Sequence, residues 1–270
     1  MGQFYDSCPQ NLLEWIQKQH LFWVATAPLS PDGHVNLSPK GAFDCFHVVG
    51  PNKVWYEDIT GSGNETIAHI RENKRITIMF CAFDGPPRIV RLFGTGQIYE
   101  YGSPEYNGLI PKDKRKPGSR SAITVDVHKV GSSCGYSVPY YDFRGERTLL
   151  MEYYQKVEAR GDPTTLEPRT DKGLREYWAT HNTKSIDGLP GVTCALDAPD
   201  MPTNKWDKAE ELARSKEKAA MNQNKKAEID LGGSKLHSAE MSAMSTKLVG
   251  AFTMGVFTAL LSVKMSGLIV

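Results

Sequence analysis

Between residues 21 and 130 the chain offers five or six strand-like stretches. Between them lies no helix long enough to carry a crossover joining parallel strands. LFWVATA at 21–27 is aromatic and β-branched. PLSPDG at 28–33 is a turn with an Asp-Gly tip. HVNLS at 34–38 returns from it, setting Val35 and Leu37 against His34, Asn36 and Ser38, until Pro39-Lys40-Gly41 breaks the run. RITIMFCAF at 75–83 sets Ile76, Ile78 and Phe80 against Thr77, Met79 and Cys81. After the turn Asp84-Gly85-Pro86-Pro87, RIVRLFGTGQIYEY at 88–101 is a long strand whose Gly94 and Gly96 imply a bend or bulge. SAITVDVHKV at 121–130 alternates again, while FDCFHVV at 43–49 reads only as a variable stretch. The series predicts a mainly β chain with added helices, its antiparallel sheet closed as a small barrel to hide its edges.

One stretch carries chemistry. KVWYEDITGSGNET, 53–66, begins as a strand, turns on Gly61 and Gly63, and opens a helix that runs to about Asn73. Ser62 and Glu65 have the spacing of a capping box ahead of Ile67 and Ile70. A strand that ends in a glycine turn at a helix N-terminus leaves backbone N–H groups unpaired. Those groups and the helix dipole suit a phosphate. The same pattern also serves a serine that merely caps its own helix.

Outside this region the character changes. Residues 9–20 read as a short leading helix, and 147–158 and 171–180 as two later ones. Residues 191–246 form a charged helical spacer, centred on WDKAEELARSKEKAA, and a Gly/Ser-rich linker. Residues 247–270 are a separate hydrophobic tail, with no charge from Leu248 to Val263. As a helix, 248–270 would span about 34 Å at ~1.5 Å per residue, close to a bilayer's apolar thickness. The tail therefore reads as a membrane anchor, placing the protein on the cytoplasmic face of an intracellular membrane; the competing reading is a terminal helix packed on the core.

Composition excludes several classes. A net charge of +1 gives no electrostatic case for nucleic acid. The five cysteines include no Cys-x-x-Cys pair, so neither a zinc site nor a redox motif is expected, and a reducing compartment is the simplest inference. MGQFYDSCPQ lacks the basic and apolar regions of a secretory signal.

Several stretches together resemble the FMN-binding split barrel of the pyridoxamine 5'-phosphate oxidase-like superfamily, and most closely its fungal-type related proteins. They are FWVATAPLSPDGHVNLSPKG (22–41), WYEDITGSGNETIAHIREN (55–73), RITIMFCAFDGPPRIVRLFGTG (75–96), SSCGYSVPYY (132–141) and NTKSIDGLPG (182–191). The resemblance covers residues 1–190. It implies a six-stranded antiparallel barrel, a homodimer, and FMN in clefts between the subunits. It also implies site residues. Lys40 matches the cation at the end of the second strand. Ser62, Gly63, Asn64 and Thr66 match the phosphate turn. Arg91 matches a strand position facing the flavin, with phosphate or Asp58 as its partner, and Asn36 and Ser38 lie along the ring.

The chain departs from the family pattern in two places. The oxidases' Ser-Arg-Lys triplet is Ser62-Gly63-Asn64 here, among Glu57, Asp58 and Glu65, so Lys40, Arg91 and Arg75 would have to supply the positive field. The Arg-Leu-His-Asp-Arg type of C-terminal signature, which reads pyridoxal phosphate, is missing. The expectation is an FMN-dependent oxidoreductase acting on a small molecule other than a B6 vitamer, with no catalytic residue or metal site assigned. The alternatives are a non-catalytic flavin- or haem-binding module and a membrane-tethered dimeric scaffold.

Overall fold

A computed structural model of the chain describes residues 2–159, 173–195 and 207–221. The elements are β1 (Gln3–Tyr5), α1 (Gln10–Ile16), β2 (Phe22–Thr26), β3 (Asn36–Lys40), β4 (Phe46–Gly50), β5 (Lys53–Ile59), α2 (Glu65–Asn73), β6 (Arg75–Cys81), β7 (Ile89–Glu100), α3 (Pro104–Leu109), β8 (Ser119–Ser133), α4 (Leu149–Ala159) and α5 (Leu174–His181). A further helix covers 208–221, its first turn capped by Asp207, whose Oδ1 accepts from the amides of Ala209 and Glu210.

All strands join one antiparallel sheet in the order β3-β2-β6-β7-β8-β5-β4, with β1 beside β8. The expected six strands are β2, β3, β5, β6, β7 and β8; the sheet has 8 because β1 and β4 join it. β1 has only 3 residues, too few for any periodicity. β4 lies in the stretch read as variable; its residues are mostly half-buried and do not alternate cleanly. A further correction concerns β3, which runs through Pro39 to Lys40 rather than stopping at Ser38. Proline is tolerated there because β3 ends the path and has β2 alone as a partner.

The sheet rolls up. Phe22 of β2 meets Phe46 of β4 at 5.0 Å between ring centroids, although four strands separate β2 from β4 along the path. Tyr56 of β5 and Phe80 of β6 complete the cluster around Phe22, at 5.4 and 5.8 Å. Val24, Ile78, Val90, Leu92, Val125 and Val54 continue this interior, and α2 adds Ile67 and Ile70. Full burial of each such side chain stabilises by roughly 1.5–3 kcal/mol. Of the two glycines expected to mark a bend or bulge in β7, Gly94 sits at an irregularity: the register against β8 shifts between Phe93 and Gly94, with His128 of β8 the extra residue. Gly96 admits α2, since a Cβ there would lie 2.9 Å from Ile70 Cδ1.

The later helices close the bottom of the turn after β5. Trp178 of α5 is fully buried and its Nε1 donates to Thr60 Oγ1 at 2.8 Å. Glu158 of α4 accepts from Arg115 Nη2 and from the amide of Gly118, both at 2.7 Å.

The chain divides into two compact units, Met1–Ser215 and Lys216–Val270. Among the described residues no helix is long and apolar enough to cross a membrane. The linker at 231–246 and the proposed anchor at 247–270 lie outside the described residues.

Candidate functional site

The turn after β5 begins at Thr60, whose amide and hydroxyl both bond to Gly118 O. The capping box expected of Ser62 and Glu65 does not form. Asn64 is the N-cap of α2, and Ser62 is exposed two residues earlier. Asn64 makes no cap bond either. Its Nδ2 donates to Asn182 O and, at 3.2 Å, to Lys184 O, while its buried Oδ1 has no partner. Among the described residues the amides of Ser62, Gly63, Glu65, Thr66 and Ile67 therefore have no protein acceptor. The Glu65 carboxylate folds back against Gly63.

Beneath the turn lies an ion cluster. Asp58, wholly buried, takes Lys40 Nζ on Oδ1 at 2.9 Å and Arg120 Nε on Oδ2 at 2.7 Å. Burial alone would raise the Asp58 pKa, but Arg120 and Lys40 outweigh it and hold the carboxyl at about 2. Two guanidinium or ammonium groups against one carboxylate leave a net single positive charge. Arg120 also donates through Nη1 to Asn182 Oδ1 at 2.9 Å, and Asn182 Nδ2 donates to Gly61 O at 3.0 Å. The cluster is thus tied to the turn above it.

The polar side of β3 faces inward. Asn36, Ser38 and Lys40 pair with Thr26, Val24 and Phe22, the buried residues of β2, whereas Val35 and Leu37 are 74 % and 62 % exposed. Ser38 Oγ donates to Asn36 Oδ1 at 2.7 Å, and Asn36 Nδ2 reaches Thr26 Oγ1 at 3.1 Å and Thr66 Oγ1 at 3.0 Å. Thr26 Oγ1 continues to His69 Nδ1 at 3.0 Å. Burial lowers the His69 pKa and keeps the ring neutral; its Nε2 is buried without a partner.

The expected residues do not all converge. They fall into two hydrogen-bonded groups, Asn36, Ser38 and Thr66 in one and Lys40, Asp58 and Asn64, through Arg120 and Asn182, in the other, with Ser62 and Gly63 on the adjoining turn. Arg91 does not join them. It sits between the buried Val90 and Leu92, in register with Met79 and Gly131, and so on the opposite face of the sheet, where Nη1 approaches Ser133 Oγ at 3.5 Å. Asp58, one of the two partners expected of Arg91, is instead bonded by Lys40 and Arg120. Arg75 also stays away, bonding to Asn73 and Pro28.

Arg120 and Asn182 are the site residues that sequence reasoning passed over. A charged side chain opening the apolar run SAITV was the available signal for Arg120. Asn182 gave none, since its partners lie 62 and 121 residues away. It begins a strap, Asn182–Cys194, that folds back over the turn. Arg71 Nε donates to Gly191 O at 2.8 Å, and the Glu100 carboxylate accepts from the amides of Thr193 and Cys194. At the strap's tip Asp187 accepts from the His34 amide at 2.8 Å and contacts His34 Nδ1 at 2.7 Å.

Residues 8–134 match the family described as pyridoxamine 5'-phosphate oxidase. A "pyridoxamine 5'-phosphate oxidase family protein ustO" of Aspergillus flavus is 40 % identical over 211 residues, covering 73 % of this chain and 80 % of that protein. The chain belongs to the pyridoxamine 5'-phosphate oxidase family. Solved structures similar to it include HupZ of Group A Streptococcus, 22 % identical, covering 45 % of this chain and 90 % of that one at a TM-score of 0.37. Another is an FMN-binding protein from Syntrophomonas wolfei, 14 % identical, covering 43 % and 79 % at a TM-score of 0.33. The resemblance read from the sequence is thereby established at family level.

Proposed function

We propose that the protein is an FMN-dependent oxidoreductase acting on a small molecule. The observation that carries this reading is the run of unpartnered amides from Ser62 to Ile67, set above a buried cluster of net positive charge in a member of this family. A phosphate monoester brings close to two negative charges and three strong acceptors, and backbone N–H groups at a helix N-terminus answer both. The donor set fits that group without the oxidases' basic triplet. Lys40 and Arg120 supply the field from below, and Glu57, which the sequence placed near the phosphate, points away: its carboxylate accepts from the amide of Lys116 at 2.9 Å. Glu65 lies closer, its carboxylate against Gly63 and its Oε1 accepting from the Ile186 amide at 3.4 Å, so an anion on the turn requires this flexible side chain to swing aside.

When bound, a flavin supplies hydride or electron transfer, and the protein's part is to hold and orient it. In this reading Asn36 and Ser38 line the ring, Thr66 fixes Asn36, and His69 backs Thr26 behind them. No residue is assigned a covalent step. The missing basic C-terminal signature argues against a B6 vitamer as substrate. The proposal includes a homodimer with the cofactor between subunits, as the family resemblance implies, and a membrane anchor at 247–270.

Protein purified as the full chain should be yellow, with flavin absorption removed by acid and FMN identified by mass spectrometry. Colourless protein that does not bind added FMN would overturn the reading. Anaerobic NADH or NADPH separates an enzyme from a non-catalytic module, since bound flavin that is never reduced excludes turnover with those donors. Cell fractionation of a chain lacking 247–270 tests the anchor: unchanged membrane association would remove it.

A further inference from the structure

Asn64 faces a choice of partners. An N-cap asparagine ordinarily turns its side-chain oxygen to the second or third amide of its helix. Here the side chain is turned the other way: Nδ2 holds two carbonyls of the strap, Asn182 O and Lys184 O, and Oδ1 is left without a partner at 1 % exposure. The consequence falls on α2, whose Thr66 and Ile67 amides have no acceptor among the described residues. A buried acceptor and two helix donors are left unpaired together at one corner, beside an N-cap backbone at φ −137°, ψ 23° that would have to extend for the side chain to cap. Leaving such groups unpaired costs of order 1–3 kcal/mol each, so the arrangement needs a reason.

Gly191 shows how tightly the strap sits. A Cβ on it would collide with the Asn64 amide and with Asn182 O. The strap's own bonds, Gly191 N to Thr183 O at 2.8 Å and Val192 N to Asn182 O at 2.7 Å, form directly over Asn64. Lifting the strap would free Nδ2 and let Oδ1 swing onto the helix.

We propose that Asn64 is a two-way latch: it either holds the Asn182–Cys194 strap or caps α2, and an anion on the amides of the turn favours the strap-bound state. With the strap down the amides are uncapped and able to receive the anion. With the strap up, Asn64 occupies them. Anion and strap therefore stabilise one another through a single side chain. The anion half rests on the phosphate reading above; the latch half does not.

Amide hydrogen exchange on the full chain separates the two. Without ligand, Asn64→Asp keeps a capping oxygen but cannot donate to the strap. Gly191 and Val192 should exchange about tenfold faster and Thr66 and Ile67 several-fold slower than in the wild type. Asn64→Ala should loosen the strap equally yet give Thr66 and Ile67 no added protection. If Asp leaves Gly191 and Val192 unchanged, or if Asp and Ala act alike on Thr66 and Ile67, the latch is wrong. Adding inorganic phosphate should slow Gly191 and Val192 exchange in the wild type and leave Asn64→Asp unaffected. Wild-type strap amides indifferent to phosphate would overturn the coupling. Flavin retention, read from the absorbance of the purified protein, tests the proposed function separately.

Discussion

Lys40 Nζ lies 2.9 Å from Asp58 Oδ1, joining the edge strand β3 to β5 across the inside of the rolled sheet. β3 and β5 are not neighbours in the sheet, so this bond exists only because the sheet curls. It also fixes the fate of both groups. Asp58 is neutralised and kept ionised by its two cations, and Lys40 is pinned under the turn after β5 rather than left in solvent.

Asp58→Asn should be the most damaging conservative substitution in the cluster. It leaves Lys40 and Arg120 facing each other with no carboxylate between them, at 22 % and 3 % side-chain exposure. Breaking a buried pair in this way costs about 3–5 kcal/mol. In a unit of this size that lowers Tm by roughly 10 °C, which thermal unfolding followed by circular dichroism would show.

The same carboxylate gives the stability an acid limb. Its folded pKa of about 2 lies below its ordinary value of 3.8, so the unfolded state takes up the proton first. The contribution is complete above pH ~4 and disappears as pH falls through about 2, amounting to roughly 2 kcal/mol. Denaturant midpoints measured from pH 5 to pH 2 should fall in wild type, and Asp58→Asn should remove this part of the slope.

Flavin affinity should distinguish Lys40 from Arg91. Lys40→Met takes the buried cluster from net positive to neutral, and FMN binding should weaken at least about tenfold, equivalent to ~1.4 kcal/mol. Arg91 lies on the other face, against Ser133, and Arg91→Ala should change affinity by less than about twofold. Titration of the deflavinated protein with FMN, followed by flavin fluorescence, checks both. Equal losses for the two variants would mean that the cofactor reaches the outer face.

Gly94→Ala tests the close approach of β7 to β8 at the register shift. A Cβ there would meet the Val125 side chain and lie 2.7 Å from Asp126 O, in a backbone already shifted in register. Overpacking of this kind costs about 1–3 kcal/mol. A correspondingly lower urea midpoint, with an unchanged m-value, is the expected outcome.

Alternation and turn chemistry determined much of this fold before any coordinates. Ile76, Ile78 and Phe80 are buried as their spacing requires, Gly94 marks a shift in register, and α2, α4 and α5 fall close to where apolar periodicity puts them. Those are local properties, set by a period of two or of 3.6. The turn after β5 was legible for the same reason, because a glycine turn between a strand and a helix is written in consecutive residues. Its occupants were not. That Asp58 would choose Arg120 over Arg91, that β3 would turn Asn36 and Ser38 inward and leave Val35 and Leu37 outside, and that Asn64 would surrender its helix to a strap 118 residues away depend on how the sheet curls and where the chain returns. Such pairings link residues far apart in sequence, and only the folded chain brings them within bonding distance.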